Sequence, residues 1–265
     1  MNVEQAVMEV ERKERRNSLA DLDAWVAKPH KSRGAMLMRH RKEFRTLGIE
    51  NPRAQLLGAG SFGAAYRVPL LGGSVIKLTR DPHEMVASYD LIGKATRHTV
   101  PVYGVWTLED SYLGNGSEDD DLVAWHVVHR AYLTPLAPSE ATIANLLFDL
   151  YFSKTFDLKL PQIHQRGMRS KWEEAIKGAI AQDGLNPQIF VKAMLMLAQI
   201  GVAVRELHEV GIDWADFHAS NLMKDAAGVM RIADIGWGLL HEDSERETPF
   251  LTAETALEHV TRLGS

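Results

Sequence analysis

The chain has 265 residues, of which 45% are hydrophobic and 25% are charged, and its formal net charge is −5. This length allows one large domain or two lobes, and the composition excludes a disordered or collagen-like chain. The sequence contains no cysteine, which excludes disulfide scaffolds, thiolate metal sites and cysteine nucleophiles. No apolar run approaches the ~20 residues of a membrane helix, and the first residues do not resemble a secretion signal. We therefore expect a cytoplasmic protein without a membrane partner.

Residues 1–50 form a basic segment rich in helix-forming residues. Up to Leu47, eleven Lys and Arg stand against seven Asp and Glu, so this part carries about +4 and the remainder about −9. We expect a helical N-terminal extension of two or three helices. Such an extension can contact an acidic partner or nucleic acid, although solvated helix faces often carry the same mixture of charges. The negative net charge argues against a dedicated nucleic-acid binder.

Short β-like runs separated by glycine follow the basic segment. Predicted strands cover 55–57, 65–68 and 74–78, and two more lie at 102–108 and 122–132. A helix is predicted between these two groups of strands, from Asp81-Pro82 to about Ile92, because Asp caps helices and Pro suits the first turn. The pattern predicts a small antiparallel sheet with one helix.

The sequence becomes predominantly helical after Pro135. Helices are predicted at 141–151, 171–180 and 187–208, where apolar residues recur every three or four positions, and a strand is predicted at 229–233. Strands with one helix, followed mainly by helices, predict an α+β protein with two unequal lobes.

A glycine-rich stretch connects the first two predicted strands. It reads Gly58-Ala59-Gly60-Ser61-Phe62-Gly63. A dinucleotide-binding fold requires a helix directly after such a motif, whereas a β-like run follows here, which favours the glycine-rich loop of a kinase. The glycines would let the backbone approach phosphate oxygens, and Phe62 would shield them from water. A glycine hairpin without a ligand is the alternative.

Lys77 ends the next predicted strand, where a phosphate-binding lysine is expected. Glu84, on the helix that follows, is the first choice for its acidic partner, and Asp90 is the second. Glu84 also stands three residues after Asp81, a capping-box spacing in which it would only satisfy the start of the helix.

Three polar residues have the spacing of a phosphoryl-transfer site. Asn221 follows Asp216 by five positions, and Asp234, within Asp234-Ile235-Gly236, follows after a further predicted strand. In kinases an Asp in the first position accepts the proton of the acceptor hydroxyl, while the Asn and the second Asp bind Mg²⁺. Singly, each could cap a turn or bond a loop, but the order of all the motifs favours a kinase.

His218 lies two residues after Asp216. A zinc site with His208 and Asp216 has no obvious supplier of further ligands. We expect His218 to orient the loop by bonding a carbonyl group or Asp234.

These motifs together resemble the protein-kinase-like superfamily, and Asp216-Phe217-His218 is similar to the variant found in aminoglycoside and choline kinases. A closer resemblance is to the early serine/threonine protein kinase of T-seven-like bacteriophages. The segments that carry it are 58–62, 64–66, 69–71, 75–77 and 216–223.

The resemblance implies a two-lobed protein-kinase-like fold. Residues 51–133 would form a nucleotide-binding N-lobe with a small antiparallel sheet, and 134–265 a truncated helical C-lobe. ATP would bind between the lobes, and the protein would phosphorylate host bacterial proteins and itself in the host cytoplasm, using Mg²⁺. Asp216, Lys77 and Glu84 would be catalytic, and Asn221 and Asp234 would bind the metal. The nucleotide would be held by Gly58, Ala59, Gly60, Ser61, Phe62, Gly63, Lys77, Tyr132 and Leu133.

Several departures from the family pattern matter. Trp214 and Ala215 replace the usual His-Arg before the catalytic Asp, so control by an Arg-bound phosphate is not expected. Only 29 residues follow Gly236, without an Ala-Pro-Glu element, so we expect no substrate-docking helices. The basic C-terminal region that the long phage form links to host transcription shutoff has no counterpart.

Two other functions stay open. One is a small-molecule kinase. The other is a catalytically idle kinase-like protein that inhibits a host enzyme through the basic extension or a helical insert at 141–186.

Overall fold

A computed structural model describes residues 33–59, 63–69, 73–94, 96–108, 124–153, 158–160, 162–214, 218–236, 239–240 and 248–264. The chain divides into two compact units. The first contains the described residues up to Pro82, Val105–His129 and the segment from Thr248 onward. The second contains His83–Gly104 and Arg130–Glu247. The α+β class predicted from the sequence is confirmed.

Short helices and strands make up the first half of the described chain, and the three longest helices follow in the second half. In chain order the helices and strands are α1 (Arg33–Arg39), α2 (Arg41–Thr46), α3 (Pro52–Gln55), β1 (Leu56–Ala59), β2 (Gly63–Val68), β3 (Ser74–Thr79), α4 (Pro82–Leu91), β4 (Val102–Thr107), β5 (His126–Arg130), β6 (Thr134–Pro135), α5 (Pro138–Phe152), α6 (Arg166–Gln182), α7 (Ile189–Glu209), β7 (Ile212–Asp213), a 3-10 helix (Ala219–Asn221), β8 (Leu222–Lys224), β9 (Met230–Ile232), β10 (Leu239–Leu240) and α8 (Ala253–Gly264).

A five-stranded antiparallel sheet with the order β1-β2-β3-β5-β4 is the main feature of the first unit. In the β2–β3 pair, Tyr66 lies opposite Ile76 and Ala65 opposite Lys77. Side chains alternate between the two faces of a strand, so Tyr66 and Ile76 share one face and Ala65 and Lys77 the other. Tyr66, Ile76 and Leu78 are fully buried, which identifies their face as the one packed on the core.

Both ends of the described chain contribute to this core. Phe44 of α2 and Leu47 pack in the same cluster as Tyr66, Leu251 and Ala256, and α2 packs against α8. The sequence predicts one helical lobe over 134–265, whereas the segment from Thr248 onward belongs to the first unit. The reason is that α8 buries its apolar side on this core.

The second unit combines helices α4–α7 with small β elements. Trp172 of α6 and Leu197 of α7 are completely buried, and α6 and α7 pack against each other. β8 and β9 form an antiparallel hairpin, with Leu222 opposite Ile232, and β6 adds to its β8 edge. β10 pairs with β7.

Among the described residues, the strands and helices predicted from residue 55 onward are confirmed, with shifts at their ends. Of the helical extension predicted for residues 1–50, residues 1–32 lie outside the described residues, and the part from Arg33 contains α1 and α2. α5 begins three residues earlier than predicted, at Pro138, because Glu140 Oε2 accepts a hydrogen bond from the Ala137 backbone N at 3.2 Å and proline suits the first helical position. α6 is longer than predicted at both ends. Within the described ranges, no helix is both long enough and apolar enough to cross a membrane.

Candidate functional site

The glycine-rich stretch lies between β1 and β2, which pair antiparallel with Gly58 opposite Ala65. Gly60, Ser61 and Phe62 lie outside the described residues. A Cβ on Gly63 would stand 2.2 Å from the Leu78 carbonyl oxygen, so β2 can approach β3 only with glycine there. A Cβ on Gly58 would meet none of the described atoms within 4 Å. Packing therefore explains Gly63 but not Gly58. Ala59 is the last residue of β1.

Lys77 lies within β3, directly after the β1–β2 hairpin. Its neighbours Ile76 and Leu78 are fully buried in the core. By strand alternation, the Lys77 side chain therefore emerges on the opposite face of the sheet, and it is half-buried there. A lysine at this place in the strand order is where kinases carry their phosphate-binding cation.

Glu84 lies in the first turn of α4 and is only 1% exposed. Its Oε1 atom is 3.6 Å from Nη1 of Arg130, the last residue of β5. The pairing of Glu84 with Lys77 stays a prediction, and Asp90, the second choice, lies on the same helix. Arg130 as a partner was missed because two residues so far apart in the sequence leave no local pattern.

The two predicted metal ligands lie at the same end of the β8–β9 hairpin. Asn221 directly precedes β8, and Asp234 follows β9 after one intervening residue. The Ala233 backbone N donates to the Asn221 carbonyl oxygen at 2.7 Å, which continues the hairpin pairing to this end. Asn221 is buried and Asp234 is half-buried. The predicted catalytic Asp216 lies outside the described residues.

The backbone is held on both sides of Asp234. Arg130 Nη1 donates to the Ala233 carbonyl oxygen at 2.6 Å, and Trp214 Nε1 donates to the Asp234 carbonyl oxygen at 3.0 Å. The Gly236 backbone N donates to Asp234 Oδ1 at 3.2 Å. A carboxylate has about four lone-pair sites, so this bond leaves it able to bind a cation.

The predicted purine-binding segment adjoins the same hairpin. Leu133 is buried in a small apolar cluster with Val100 and Ala233, against which Ala131 and Met223 pack. Tyr132, between Ala131 and Leu133, is half-buried. Thus Leu133 lies in the same apolar cluster as Ala233, the residue that precedes Asp234. Within the second unit, the fold brings together three residues that the sequence predicted for nucleotide and metal: Leu133, Asn221 and Asp234.

The donor atoms of Asn221 and Asp234 suit Mg²⁺. This hard cation prefers oxygen ligands and is often bound by one or two protein groups together with substrate phosphates and water. Asn221 offers an amide oxygen and Asp234 a carboxylate. In the described part of the chain, no group of three or more His, Asp or Glu residues is arranged to hold a metal ion. An amide oxygen and a carboxylate are the kinds of ligand that a magnesium ion shared with a phosphate uses in proteins.

The histidines near this hairpin have other described contacts. His218 Nδ1 is 2.5 Å from Ser220 Oγ, and His208 Nδ1 is 2.9 Å from Asp213 Oδ1. The expected bond from His218 to a carbonyl group or Asp234 stays a prediction.

Comparison with protein-family models and with curated proteins finds no match. The function is therefore inferred from these residues and their geometry.

Proposed function

We propose that this protein is an ATP- and Mg²⁺-dependent phosphotransferase of the protein-kinase-like class. The observation that carries the proposal is the shared position of Asn221 and Asp234. They lie at one end of the β8–β9 hairpin, where the Ala233 N–H bonds the Asn221 carbonyl oxygen at 2.7 Å. An amide oxygen followed along the chain by a carboxylate is the order of the metal ligands in kinases.

The first unit supplies further support. Lys77 lies on the strand after the glycine-rich hairpin and emerges on the face opposite the core. Its ammonium group would bind phosphate oxygens, and the Gly58–Gly63 stretch would offer backbone N–H groups to the same phosphates. The backbone near Tyr132 and Leu133 would hold the purine.

The transfer step follows from these assignments. Bound Mg²⁺ would neutralise charge on the phosphate oxygens. The acceptor hydroxyl oxygen forms a bond to the γ-phosphorus while the bond from that phosphorus to the β–γ bridging oxygen breaks, releasing ADP. Asp216 aligns the hydroxyl and takes its proton. Since phosphoryl transfer has a loose transition state, these residues act mainly by positioning the reactants and neutralising charge.

The proposed acceptor is a serine or threonine hydroxyl of a host bacterial protein, including the enzyme itself. The support is the resemblance of the glycine-rich and Asp216 segments to the early kinase of T-seven-like bacteriophages. The basic residues before Leu47 are the proposed contact for such substrates, since they differ in charge from the rest of the chain.

The test is incubation of a bacterial lysate with the purified protein, Mg²⁺ and γ-labelled ATP, followed by mapping of the labelled residues. We expect label on protein serine or threonine. Asp216→Ala should abolish transfer but keep nucleotide binding. Asp234→Asn should lose Mg²⁺-dependent nucleotide binding.

Asp225→Asn is the matched control. Asp225 lies at the opposite end of the same hairpin, where its carboxylate bonds the backbone of Ala227 and Val229 and the Arg231 side chain. We expect this variant to transfer phosphate at the wild-type rate in its folded form. Undiminished phosphate transfer in Asp216→Ala would contradict the proposal. So would an equal loss of Mg²⁺-dependent nucleotide binding in Asp234→Asn and in Asp225→Asn.

A small-molecule acceptor is the second candidate. It is favoured by Asp216-Phe217-His218, which is similar to the variant found in aminoglycoside and choline kinases. Label found only on small molecules in the lysate would select this function.

A catalytically idle inhibitor is the remaining alternative. It predicts that a Lys77→Ala/Asp216→Ala double variant keeps the full biological effect.

A further inference from the structure

Arg130 links α4 with the end of the β8–β9 hairpin, two parts of the second unit that lie far apart in the sequence. The Nη1 atom of its guanidinium donates to the Ala233 carbonyl oxygen at 2.6 Å, and the same atom lies 3.6 Å from Glu84 Oε1. The Arg130 side chain is 13% exposed and that of Glu84 is 2% exposed. We propose that Arg130 is a positioning residue that fixes Asp234 for metal binding, with Glu84 as its counter-charge. This inference rests on the proposed function.

Two hydrogen bonds hold the backbone on either side of Asp234. The Ala233 carbonyl and the Asp234 N–H belong to one planar peptide group, so a bond to that oxygen fixes the plane before Asp234. Trp214 Nε1 bonds the Asp234 carbonyl oxygen at 3.0 Å and so fixes the next plane. With both planes held, the two backbone dihedrals of Asp234 are set, and with them the direction of its Cα–Cβ bond, from which the carboxylate extends.

Burial of the Arg130 guanidinium costs free energy. A buried guanidinium loses its hydration, and an apolar side chain of similar volume often stabilises a fold as well or better. Only a donor, however, can hold the Ala233 carbonyl group. Arginine suits this task because its planar fork bonds an acceptor while the same group faces a carboxylate.

The positive charge of Arg130 also acts on the proposed Mg²⁺ site. A bare guanidinium directly beside the peptide before a cation-binding carboxylate would repel Mg²⁺. The Glu84 carboxylate, at 3.6 Å, offsets this positive charge. Glu84 thereby serves the metal site through Arg130.

The test compares Arg130→Met, Arg130→Lys and a matched control, Arg231→Met. Arg231 is a second largely buried arginine of the same unit. It bonds the carbonyl groups of Thr96 and Thr99 and the Asp225 carboxylate, away from Asp234. Calorimetry would measure binding of a non-hydrolysable ATP analogue over a series of Mg²⁺ concentrations.

We expect Arg130→Met to raise the half-saturating Mg²⁺ concentration about tenfold or more, as loss of groups that orient metal ligands typically does. Arg130→Lys should recover part of this loss, because an ammonium group can still donate to the carbonyl oxygen. Arg231→Met should keep the wild-type Mg²⁺ dependence while lowering stability. A wild-type Mg²⁺ dependence in Arg130→Met, or an equal shift in Arg231→Met, overturns the inference.

A second measurement separates this inference from the proposed function. The Gly236 amide N–H donates to Asp234 Oδ1. Its rate of hydrogen exchange in the absence of nucleotide therefore measures how well the segment from Asp234 to Gly236 is ordered. We expect faster exchange in Arg130→Met than in Arg231→Met, and equal exchange overturns the positioning role. A wild-type protein that binds no nucleotide at any Mg²⁺ concentration would contradict the proposed function alone.

Discussion

Two buried polar networks begin at consecutive residues of β5 and differ in charge. His129 belongs to the first unit, where its Nδ1 is 2.6 Å from His259 Nε2 and its Nε2 is 2.5 Å from Ser74 Oγ. Arg130 belongs to the second unit and connects Glu84 with the Ala233 carbonyl group. The first network joins side chains of the sheet and α8, whereas the second ends on the backbone beside Asp234.

The histidine network is neutral. The Arg262 guanidinium, which can only donate, is 3.1 Å from His259 Nδ1, so that nitrogen accepts. His259 Nε2 then carries the proton and donates to His129 Nδ1, and His129 Nε2 donates to the Ser74 hydroxyl. Burial lowers the pKa of His129 to about 3 and that of His259 to about 4. This network stabilises a fold, and the charged network can position a site.

Removal of Glu84 should have the largest effect on stability. Glu84→Ala leaves the Arg130 guanidinium buried without this counter-charge, so we expect the free energy of unfolding to fall by about 3–5 kcal/mol. Urea unfolding would measure it. In the double variant with Arg130→Met part of the loss should return, since no buried charge then remains in this pair. Strictly additive losses would show that the two charges do not interact.

Removal of His129 should have the next largest effect. His129→Leu keeps the volume but takes the bond from both Ser74 and His259, at a cost of about 2–4 kcal/mol for the two groups. Ser74→Ala removes only the end of the network and should cost less. The Mg²⁺ dependence of nucleotide binding should not change in either variant. A change would show that the two networks are not separate in function.

Acid should weaken the first unit through its buried histidines. The pKa values of His126, His129 and His259 fall from 6.5 to about 4, 3 and 4, chiefly because burial disfavours the charged form. Between these values and 6.5 the unfolded chain binds more protons than the folded protein. Stability is therefore complete above about pH 6.5 and falls progressively as the pH falls below it. Unfolding curves between about pH 7.5 and pH 5 would measure this loss, and His129→Leu should reduce its slope. Equal stability across this range would contradict the neutral network.

The smallest effect is expected at an exposed ion pair of the second unit. Arg169 Nε and Glu173 Oε1 are 3.3 Å apart on the surface of α6, one helical turn from each other. Arg169→Ala should cost no more than about 0.5 kcal/mol, and less in high salt. This variant gives the baseline for an arginine that positions nothing. A loss of more than about 1 kcal/mol in the free energy of unfolding would show that this exposed arginine is not the neutral reference for Arg130 that we expect.

Local patterns predicted much of the fold and part of the candidate site. The strand after the glycine-rich stretch, the helix that begins at Pro82 and the helical second half follow from short-range periodicity and caps. The order of Lys77, Asn221 and Asp234 along the chain indicated phosphate and metal chemistry. Contacts between distant residues could not be predicted in this way. The bond from Arg130 to Ala233 joins residues 103 positions apart.

The sequence by itself determined which residue types stand where: the glycines, the lysine, and the amide and carboxylate oxygens that a phosphate and Mg²⁺ would need. These positions are given by the order of the residues along the chain, which is the same whether or not the chain is folded. Only the tertiary structure decided that Asn221 and Asp234 share one hairpin end, that α8 completes the first unit, and that Glu84 faces Arg130. The physical reason is that burial acts between segments: an apolar face or a buried charge finds its partner only when the chain packs.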